Sequence, residues 1–452
     1  MTDATVGNRF LIDQGVRPMI LQGIRILDFT RFTAGGFSTR WLASLGADVV
    51  KVEPPGGESL RLDGYEENPD GSLVATLYPS NPEIGGFGPM FLLNNLGKRS
   101  ISIDMRVEGS HDLVRRLVAS ADVVIESFTP HVFKQWGFTY EALREIKHDI
   151  IYVHASGFGY DYRDQRRVCT EPVAVATAGF VYMNGQADGY PMIDGTGIGD
   201  PISGTVTALG VLGAIIHKLR TGEGQFLDTA MVDSLIAHDC TTMPYVAHSR
   251  GRFAPKRTNF GANVNVPMGV FRVQDEHLVI HANGNGEGSA WSRLCHLIGR
   301  DDLITDPAFL TDAARRAVKP ELWSIVEGWL DANFKNAEEA SAAIAAHQIL
   351  AQKVYSPNEL LDHPDYKARN MFVEVEHPLV GSLNVIPMPL KYSRTPITTE
   401  RAPLYGEHNE RVLGDWIGCS DDEIQALYSS GIIGRDELVG ALRATGEIPP
   451  VR

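Results

Sequence analysis

The sequence predicts an α/β protein whose larger domain contains a parallel sheet. Short apolar segments of strand length alternate with segments of helix length along the first third of the chain. Strands separated by helices can run parallel, because each connection then crosses a face of the sheet. Hydrophobic residues make up 43% of the chain and charged residues 21%, which is typical of a globular protein. The length of 452 residues exceeds one typical core and predicts two domains.

The first βαβ unit consists of strand 24–29, helix 37–45 and strand 47–52, with Gly46 ending the helix. The alternation continues through strand 100–105, helix 110–119, strand 122–125, helix 140–146 and strand 150–153. These strands predict a parallel sheet that is covered by helices on both faces.

Ligands of such sheets bind beyond the carboxyl ends of the strands. In this chain those ends are residues 30–35, 53–61 and 126–130. The first strand is not followed by a GxGxxG motif, and bulky residues occupy the turn 30–33, which argues against a dinucleotide cofactor. We therefore expect a ligand other than NAD at this edge.

The remainder of the chain changes character several times. The predicted segments are a surface insertion at 62–90, a small-residue helix at 201–219, a long apolar helix at 226–246, a hairpin at 271–281, strands at 372–375 and 383–386, and a final helix pair at 406–433. The composition changes near Gly251, where the hairpin begins an α+β domain.

Charge and residue usage exclude several classes of function. The net charge of -15 argues against nucleic-acid or anionic-membrane binding, and the apolar runs look too short or too interrupted to span a bilayer. The four cysteines form no CxxC pair and the N-terminus has no signal-peptide pattern, so we expect a cytoplasmic protein. The 14 histidines do not cluster at ligand spacing, which predicts no metal site.

Glu171 is the candidate catalytic residue. It follows a glycine-rich corner at 156–159 and a charged loop, and it opens the nearly uncharged segment 172–185. A carboxylate at the mouth of an apolar helix can act as a nucleophile or a base. Alternatively, Glu171 is an acid that favours a helix N-terminus, with Pro172 at the first helical position.

Two further segments contain groups that are suited to binding an anion. The loop 283–288 carries Gly284, Gly286 and Gly288 before a predicted helix, so its N–H groups can face an anion; the alternative is an ordinary connector. Lys98 and Arg99 stand at the entrance of a strand, where they either meet a phosphate or are solvated.

Several of these segments match a known family in order and spacing over most of the chain. The matching residues are 21–30, 45–54, 95–100, 121–128, 156–159, 220–225 and 405–408. Together they resemble the family III CoA-transferases, a group that contains formyl-CoA and carnitine CoA-transferases and also the α-methylacyl-CoA racemases.

The resemblance implies a fold and an assembly. Its large Rossmann-like domain is built from both chain ends, which here are 20–225 and 396–452. A linker helix at 226–250 leads to a smaller inserted α+β domain at 251–395. Two chains of such proteins thread through each other, which implies an interlocked homodimer.

The resemblance also implies a mechanism. Transferases of the family carry an aspartate in a Tyr-Asp pair before an Ala-x-Ser-Gly element, and here Thr170 and Glu171 precede the element 176–179. The carboxylate attacks an acyl-CoA to form a mixed anhydride, and a thioester between enzyme and CoA follows. Glu171 is one methylene longer than aspartate, which implies either an adjusted pocket or altered chemistry.

Other family positions map onto this sequence as expected CoA contacts. Thr33 and Ala34 match a turn beside the thioester, Asn95 and Lys98 match a CoA-contacting motif, and Gln135 falls where an arginine contacts the nucleotide. The 3′-phosphate is therefore expected to meet Arg61, Lys134 or Arg99. Gly284, Gly286 and Gly288 match a loop that closes over the active site, where they are expected to take part in catalysis.

Two other functions remain open at this point. The racemase branch uses a His-Asp pair and a later aspartate; Asp200 matches the latter, but Thr170 replaces the histidine, leaving Cys169 or His154 as surrogates. A catalytically altered acyl-CoA-binding protein is the third possibility. The expected partners are an acyl-CoA, a carboxylic acid and a second copy of the chain, with CoA thioester as substrate and no permanently bound cofactor.

Overall fold

The computed structural model describes residues 18–76, 88–164, 166–260 and 265–435. The predictions for the N-terminus, for positions 77–87 of the insertion and for the tail after residue 435 fall outside the described residues. The chain divides into two compact units. The first comprises Met1–Phe180, Ile193–Arg250 and Asn370–Arg452, and the second comprises Val181–Met192 and Gly251–Arg369.

A parallel sheet forms the centre of the first unit. The strands of the chain are β1 (Arg25–Phe29), β2 (Asp48–Glu53), β3 (Gly64–Glu67), β4 (Leu73–Thr76), β5 (Arg99–Ser102), β6 (Val123–Glu126), β7 (Ile151–Ser156), β8 (Phe226–Ala230), β9 (Met268–Val273), β10 (Glu276–His281), β11 (Leu350–Lys353), β12 (Val373–His377) and β13 (Gly381–Val385). Six of them pair in parallel in the order β5-β2-β1-β6-β7-β8. The predicted α/β class and parallel sheet are confirmed.

The order of the strands marks where a ligand can bind. β1 pairs with β2 on one side and with β6 on the other. The chain therefore adds strands to one side of β1 first and to its other side later. Crevices beyond the carboxyl ends at such a switch point are the usual ligand sites of open α/β sheets. The central strands are almost entirely buried, as in Val123–Glu126, because helices cover both faces.

Helices supply the layers around the two cores. They are α1 (Phe32–Ser44), α2 (Pro89–Asn94), α3 (Ser110–Ser120), α4 (Pro130–Gln135), α5 (Tyr140–Ile146), α6 (Glu171–Thr177), α7 (Phe180–Met183), α8 (Gly199–Thr221), α9 (Met231–His238), α10 (Met243–His248), α11 (Ala290–Leu297), α12 (Asp302–Thr305), α13 (Asp312–Ala317), α14 (Lys319–Asn333), α15 (Ala337–Ala346), α16 (Pro357–Asp362), α17 (Pro364–Ala368), α18 (Asn409–Ile417) and α19 (Asp421–Ser429). A 3₁₀ turn occupies Ser59–Leu62.

The longest helix, α8, packs along α1 within the first unit. A Cβ atom at Gly204 would lie 2.6 Å from the carbonyl oxygen of Ala34, so glycine is what permits the close approach. By length and composition alone α8 can cross a membrane, which corrects the expectation that every apolar run is too short. It packs against α1, β7, β8 and α9, while apolar side chains such as Leu209 and Leu219 are exposed.

The predicted linker helix at 226–250 is wrong in its first part. Residues Phe226–Ala230 form β8, the edge strand that pairs with β7, and the helix begins only at Met231. Aromatic and β-branched side chains such as Phe226 and Thr229 favour a strand when a sheet edge is available. Helix α9 ends at His238, and a separate helix, α10, follows it.

The second unit has a sheet and a core of its own. Its three strands are antiparallel in the order β11-β10-β9, and Phe271, Trp291 and Trp323 are buried against them. The unit ends at Arg369, whereas the predicted small domain extends to residue 395. The hairpin β12–β13, which was expected in that domain, belongs to the first unit.

A network of buried ion pairs fixes the turn that follows β1. Lys98 Nζ donates to Asp28 Oδ2 at 3.1 Å and to Asn95 Oδ1 at 2.8 Å, and both charged side chains are fully buried. Asp28 also accepts hydrogen bonds from the amide and hydroxyl of Thr30. Burial opposes ionisation of Asp28, but Lys98, Lys51 and these hydrogen bonds hold its pKa below the ordinary value.

Removal of Lys98 should destabilise the first unit strongly. In Lys98→Met the Asp28 carboxylate stays buried without its cation, which should cost about 3–5 kcal/mol in the free energy of unfolding. Urea unfolding measures the difference. The matched control is Lys367→Met, which removes an exposed partner of Asp362 and should leave the unfolding midpoint nearly unchanged. Equal midpoints for Lys98→Met and the unaltered protein would contradict the role of the pair.

Candidate active site

Glu171 is the first residue of α6, and Pro172 follows it in the first turn. Proline favours this position because its missing N–H would have no partner there. The carbonyl of Thr170 accepts hydrogen bonds from the amides of Val173 and Ala174, which starts the helix. The interpretation of Glu171 as an acid at a helix N-terminus is therefore correct for its position.

The carboxylate of Glu171 contacts a second helix. Its Oε1 accepts a hydrogen bond from the amide of Gly199, at 3.3 Å, and Gly199 is the first residue of α8. A helix N-terminus carries unsatisfied N–H groups and a partial positive charge, both of which favour an anion. Among the described residues no cation perturbs the pKa of Glu171, and the Gly199 amide is the group that favours its charged form.

Two glycines let the surrounding chain approach Glu171. A Cβ atom at Gly199 would lie 3.0 Å from Glu171 Cγ and 3.1 Å from Val175 Cγ1. A Cβ atom at Gly157, in the corner after β7, would lie 2.0 Å from Cys169 Cβ, which is an overlap. The corner and the N-terminus of α8 thus pack against the segment that carries Glu171. This places the residue beyond the carboxyl end of β7, on the predicted edge.

Asp200 follows Gly199, the residue whose amide contacts Glu171, so the two carboxyl groups form a neighbouring pair. Asp200 is the second residue of α8 and is half-buried. Burial and then the charge of Glu171 raise the pKa of Asp200 to about 7. Burial also raises the pKa of Glu171, with a contribution from Asp194, while the Gly199 amide opposes the rise. The sequence resemblance named both residues, and the structure brings them together.

His154 does not join this pair. Its ring is fully buried on β7, and its Nδ1 lies 2.5 Å from Glu126 Oε1, which also accepts from the Tyr152 hydroxyl at 2.9 Å. Nε2 has no hydrogen-bond partner among the described residues. The hypothesis of His154 as a surrogate base is contradicted, because a ring enclosed in this way cannot reach a substrate carbon.

Three of the expected CoA contacts are engaged in interactions within the protein itself. Arg61 forms a bidentate pair with buried Glu53, with both N–O distances at 2.7 Å. Asn95 and Lys98 are buried in the Asp28 network. Their prediction as CoA ligands is corrected, because buried charges and amides must be satisfied within the fold.

Arg99 is excluded for a different reason. It begins β5 in register with Val50, so it lies toward the amino end of the sheet rather than the carboxyl end. There its Nε donates to Asp48 Oδ1 at 2.8 Å, and Asp415 lies 3.8 Å away. The prediction that Arg99 meets the 3′-phosphate at the ligand edge is therefore wrong.

The other expected contacts remain accessible. Thr33 and Ala34 lie half-buried in the first turn of α1, directly after the turn that the Asp28 network fixes. Lys134 and Gln135 are exposed at the end of α4. All four follow carboxyl ends of strands, β1 for the first pair and β6 for the second.

A cleft of about 310 Å³ opens at the switch point between β1 and β6. Its lining residues are Phe29, Arg31, Val52, Glu53, Pro54, Pro55, Ile103, Asp104, Met105, Arg106, Phe128 and Trp136. Arg31 is exposed there, with its guanidinium 5.7 Å from the ring centre of Phe128. The sequence interpretation missed Arg31, although its position directly after β1 was a usable signal.

The glycine loop lies in the second unit, and buried groups hold it. Arg315 is fully buried and donates to the Gly284 carbonyl at 2.7 Å, while the amide of Asp312 donates to Asn285 Oδ1 at 3.0 Å. Gly284 has a φ of 100°, a conformation that favours glycine. Its loop is thus anchored at its base, which an unrestrained connector would not be.

Carboxylates carry the chemistry available in this region. The described residues contain no group of His, Cys, Asp and Glu that could hold a metal ion. Cys169 lies beside the pair, where burial raises the pKa of its thiol and so disfavours the reactive thiolate. Glu171 and Asp200 are therefore the candidates for a nucleophile or base in this region.

Known proteins resemble the chain over nearly its whole length. A succinyl-CoA:mesaconate CoA-transferase of Haloarcula hispanica is 32% identical over 413 residues, covering 90% of this chain and 99% of the relative. A formyl-CoA:oxalate CoA-transferase of Streptomyces coelicolor is 30% identical, covering 91% and 99%. The crystal structure of a CAIB/BAIF family protein from Brucella suis superposes with a TM-score of 0.74 at 27% identity, covering 88% of this chain and 100% of that one.

The family assignment follows from these matches and from the shared fold. The model of the family described as CoA-transferase family III matches residues 21–409, which include the sheet, Glu171 and the glycine loop. The chain therefore belongs to CoA-transferase family III, and the protein is a CoA-transferase enzyme.

Proposed function

We propose that the protein transfers CoA from an acyl-CoA to a carboxylic acid through intermediates on Glu171. The Glu171 carboxylate attacks the thioester carbonyl; the C–O bond forms, and the C–S electron pair leaves with the CoA thiolate. The thiolate then attacks the Glu171 carbonyl, which releases the donor acid and leaves a glutamyl-CoA thioester. The acceptor carboxylate attacks this thioester and expels the CoA thiolate, and this step forms a second anhydride. The thiolate then attacks the acceptor carbonyl, forms the new acyl-CoA and releases Glu171 as a carboxylate.

The observation that carries the proposal is the setting of the Glu171 carboxylate. It is half-buried, accepts a hydrogen bond from the Gly199 amide and has no cationic partner in the part of the chain that the structure describes. Burial, which raises its pKa, removes solvating water from the attacking oxygen. A carboxylate in such surroundings is an effective nucleophile toward a thioester.

The carboxyl edge of the sheet provides the proposed CoA site. Thr33 and Ala34 in the first turn of α1 are suited to the thioester end. Arg31 and Lys134, both exposed, are suited to the phosphates of the nucleotide, and Gln135 is adjacent. Two cations of this kind can bind phosphate oxygens without breaking an internal ion pair.

The glycine loop and a second chain complete the proposed enzyme. The N–H groups of Gly284, Gly286 and Gly288 are suited to stabilising developing oxyanions, and loop closure would exclude water from the anhydride. The large domain built from both chain ends is proposed to interlock with a second copy. The proposed setting is the cytoplasm, with CoA thioester as substrate and no permanently bound cofactor.

The relatives suggest where to look for the acids. They are named for formyl-CoA with oxalate and for succinyl-CoA with mesaconate, and both acceptors are dicarboxylic acids. A panel of these donors against mono- and dicarboxylic acceptors would identify the pair that this enzyme uses. Racemase chemistry is the weaker candidate, since Thr170 cannot take an α-proton and His154 is enclosed. Deuterium wash-in at Cα without an acceptor acid would reverse that preference.

Trapping should label Glu171. Incubation with an active acyl-CoA, followed by hydroxylamine or borohydride, should convert Glu171 to its hydroxamate or alcohol, because both reagents attack anhydrides and thioesters. Peptide mass spectrometry locates the change, and Glu223, an exposed glutamate, serves as the internal control. Full transfer activity in Glu171→Ala would refute the proposal, and CoA binding without label would favour a binding protein.

Shortening the nucleophile should slow the reaction. In Glu171→Asp the carboxylate withdraws by about 1 Å from the Gly199 amide, which should lower kcat roughly a hundredfold. Steady-state kinetics with the identified substrates measures the change. If Glu171→Asp works as well as the unaltered enzyme, the pocket is not fitted to glutamate.

An interlocked dimer should survive dilution. Chains that thread through each other cannot separate without unfolding, so light scattering should give the mass of two chains down to the lowest measurable concentration. Partial dissociation at low concentration, with a reversible return on concentration, would exclude interlocking. The measurement does not depend on the identity of the substrates.

A further inference from the structure

Glu171 and Asp200 differ in the partners that the fold gives them. Glu171 Oε1 accepts the amide of Gly199, whereas no described residue donates a hydrogen bond or forms an ion pair with the adjacent Asp200. Buried Asp28, by contrast, has a lysine and two threonines. The fold thus gives Glu171 a hydrogen-bond donor, whereas Asp200, although it lies in the first turn of α8, has none among the described residues.

Two neighbouring carboxyls in a poorly solvated place do not ionise together easily. The first proton to leave comes from the better supported group, and the second is retained because of the first charge. In this pair the better supported group is Glu171, because its carboxylate accepts a hydrogen bond from the amide at the N-terminus of α8. Asp200 is the group that keeps its proton.

We propose that Asp200 is a positioning residue that holds the single proton of the pair, so that Glu171 is the ionised, attacking carboxylate. This inference rests on the proposed role of Glu171 as nucleophile and adds the group that sets its charge. A neutral Asp200 also keeps a second negative charge away from the anionic tetrahedral intermediate on Glu171. Its pKa of about 7 places the loss of this proton near neutral pH.

The charged groups around the pair do not change the assignment of the proton to Asp200. Cys169 lies beside Asp200, Arg167 acts on Cys169, and Asp194 acts on Glu171. The elements packed against α6 and α8 carry further ionisable groups, namely Arg40 on α1, His154 on β7, Asp228 on β8, and Asp233 and His238 on α9. Among the described residues, Glu171 is the one charge that perturbs the pKa of Asp200.

The chemistry predicts an alkaline loss of activity. Once Asp200 ionises, the nucleophile stays charged, but each anionic transition state forms beside a second carboxylate. The value of kcat/KM for the acyl-CoA should therefore fall about tenfold per pH unit above the pKa of Asp200. Activity at lower pH needs only an ionised Glu171.

The test is the pH profile of Asp200→Asn, whose side chain is neutral at every pH and has nearly the same shape. This variant should stay active near neutral pH, and its kcat/KM should not show the alkaline limb, the fall between about pH 7 and pH 9. Asp233→Asn removes an exposed acid on α9 and should keep the limb. An alkaline limb that persists in Asp200→Asn, or an equal loss of activity at every pH, would overturn the proposal.

A second measurement on the unaltered enzyme covers the case in which Asp200→Asn does not fold. The initial rate at which acyl-CoA labels Glu171 in a single turnover should fall above neutral pH. Labelling that proceeds equally fast across this range would overturn the role of Asp200 and leave Glu171 as nucleophile. Absence of label at every pH would instead remove the proposed function, and the role of Asp200 with it.

Discussion

The contact between the Glu171 carboxylate and the N-terminus of α8 is the interaction on which the site depends. The Gly199 amide, 3.3 Å from Oε1, supplies the one hydrogen bond that this carboxylate accepts from the described residues, and a side chain at Gly199 would displace it. Close packing makes the contact possible: Gly204 lets α8 lie along α1, and Gly157 lets the β7 corner press on Cys169. The same packing desolvates Glu171 and Asp200, which separates their roles.

A second constraint governs the basic residues near the sheet. A buried charge needs a partner, because desolvation costs more than the fold gains from the charge alone. Lys98 and Arg61 meet that need for Asp28 and Glu53, and they hold the ends of β1 and β2 in place. Basic groups that remain in water, such as Arg31, are the ones left for an anionic ligand.

The local pattern of apolar residues was sufficient to predict the βαβ units, because apolar residues recur with different periods in strands and in helices. The pattern failed at Phe226, where a segment that was predicted to be helical forms an edge strand. This segment becomes a strand because it pairs with the free edge of β7, and the presence of that edge follows from the tertiary structure. Glu171 was recognisable from its setting and from family resemblance. Its partnership with Asp200, 29 positions later, was not, because the approach of two helix N-termini is set by packing at Gly199. For the same reason, the spacing of residues in the sequence could not show that Lys98 and Arg61 form ion pairs with buried carboxylates.

The most direct test of the central claim follows oxygen rather than CoA. If Glu171 forms an anhydride with the acceptor, one oxygen of the acceptor carboxylate must remain on Glu171 when the new acyl-CoA departs. A single turnover with an acceptor acid that carries ¹⁸O at both carboxylate oxygens, followed by peptide mass spectrometry, should therefore find one ¹⁸O atom on Glu171. Formation of labelled acyl-CoA with no ¹⁸O on Glu171 would show that CoA transfer proceeds without this carboxylate.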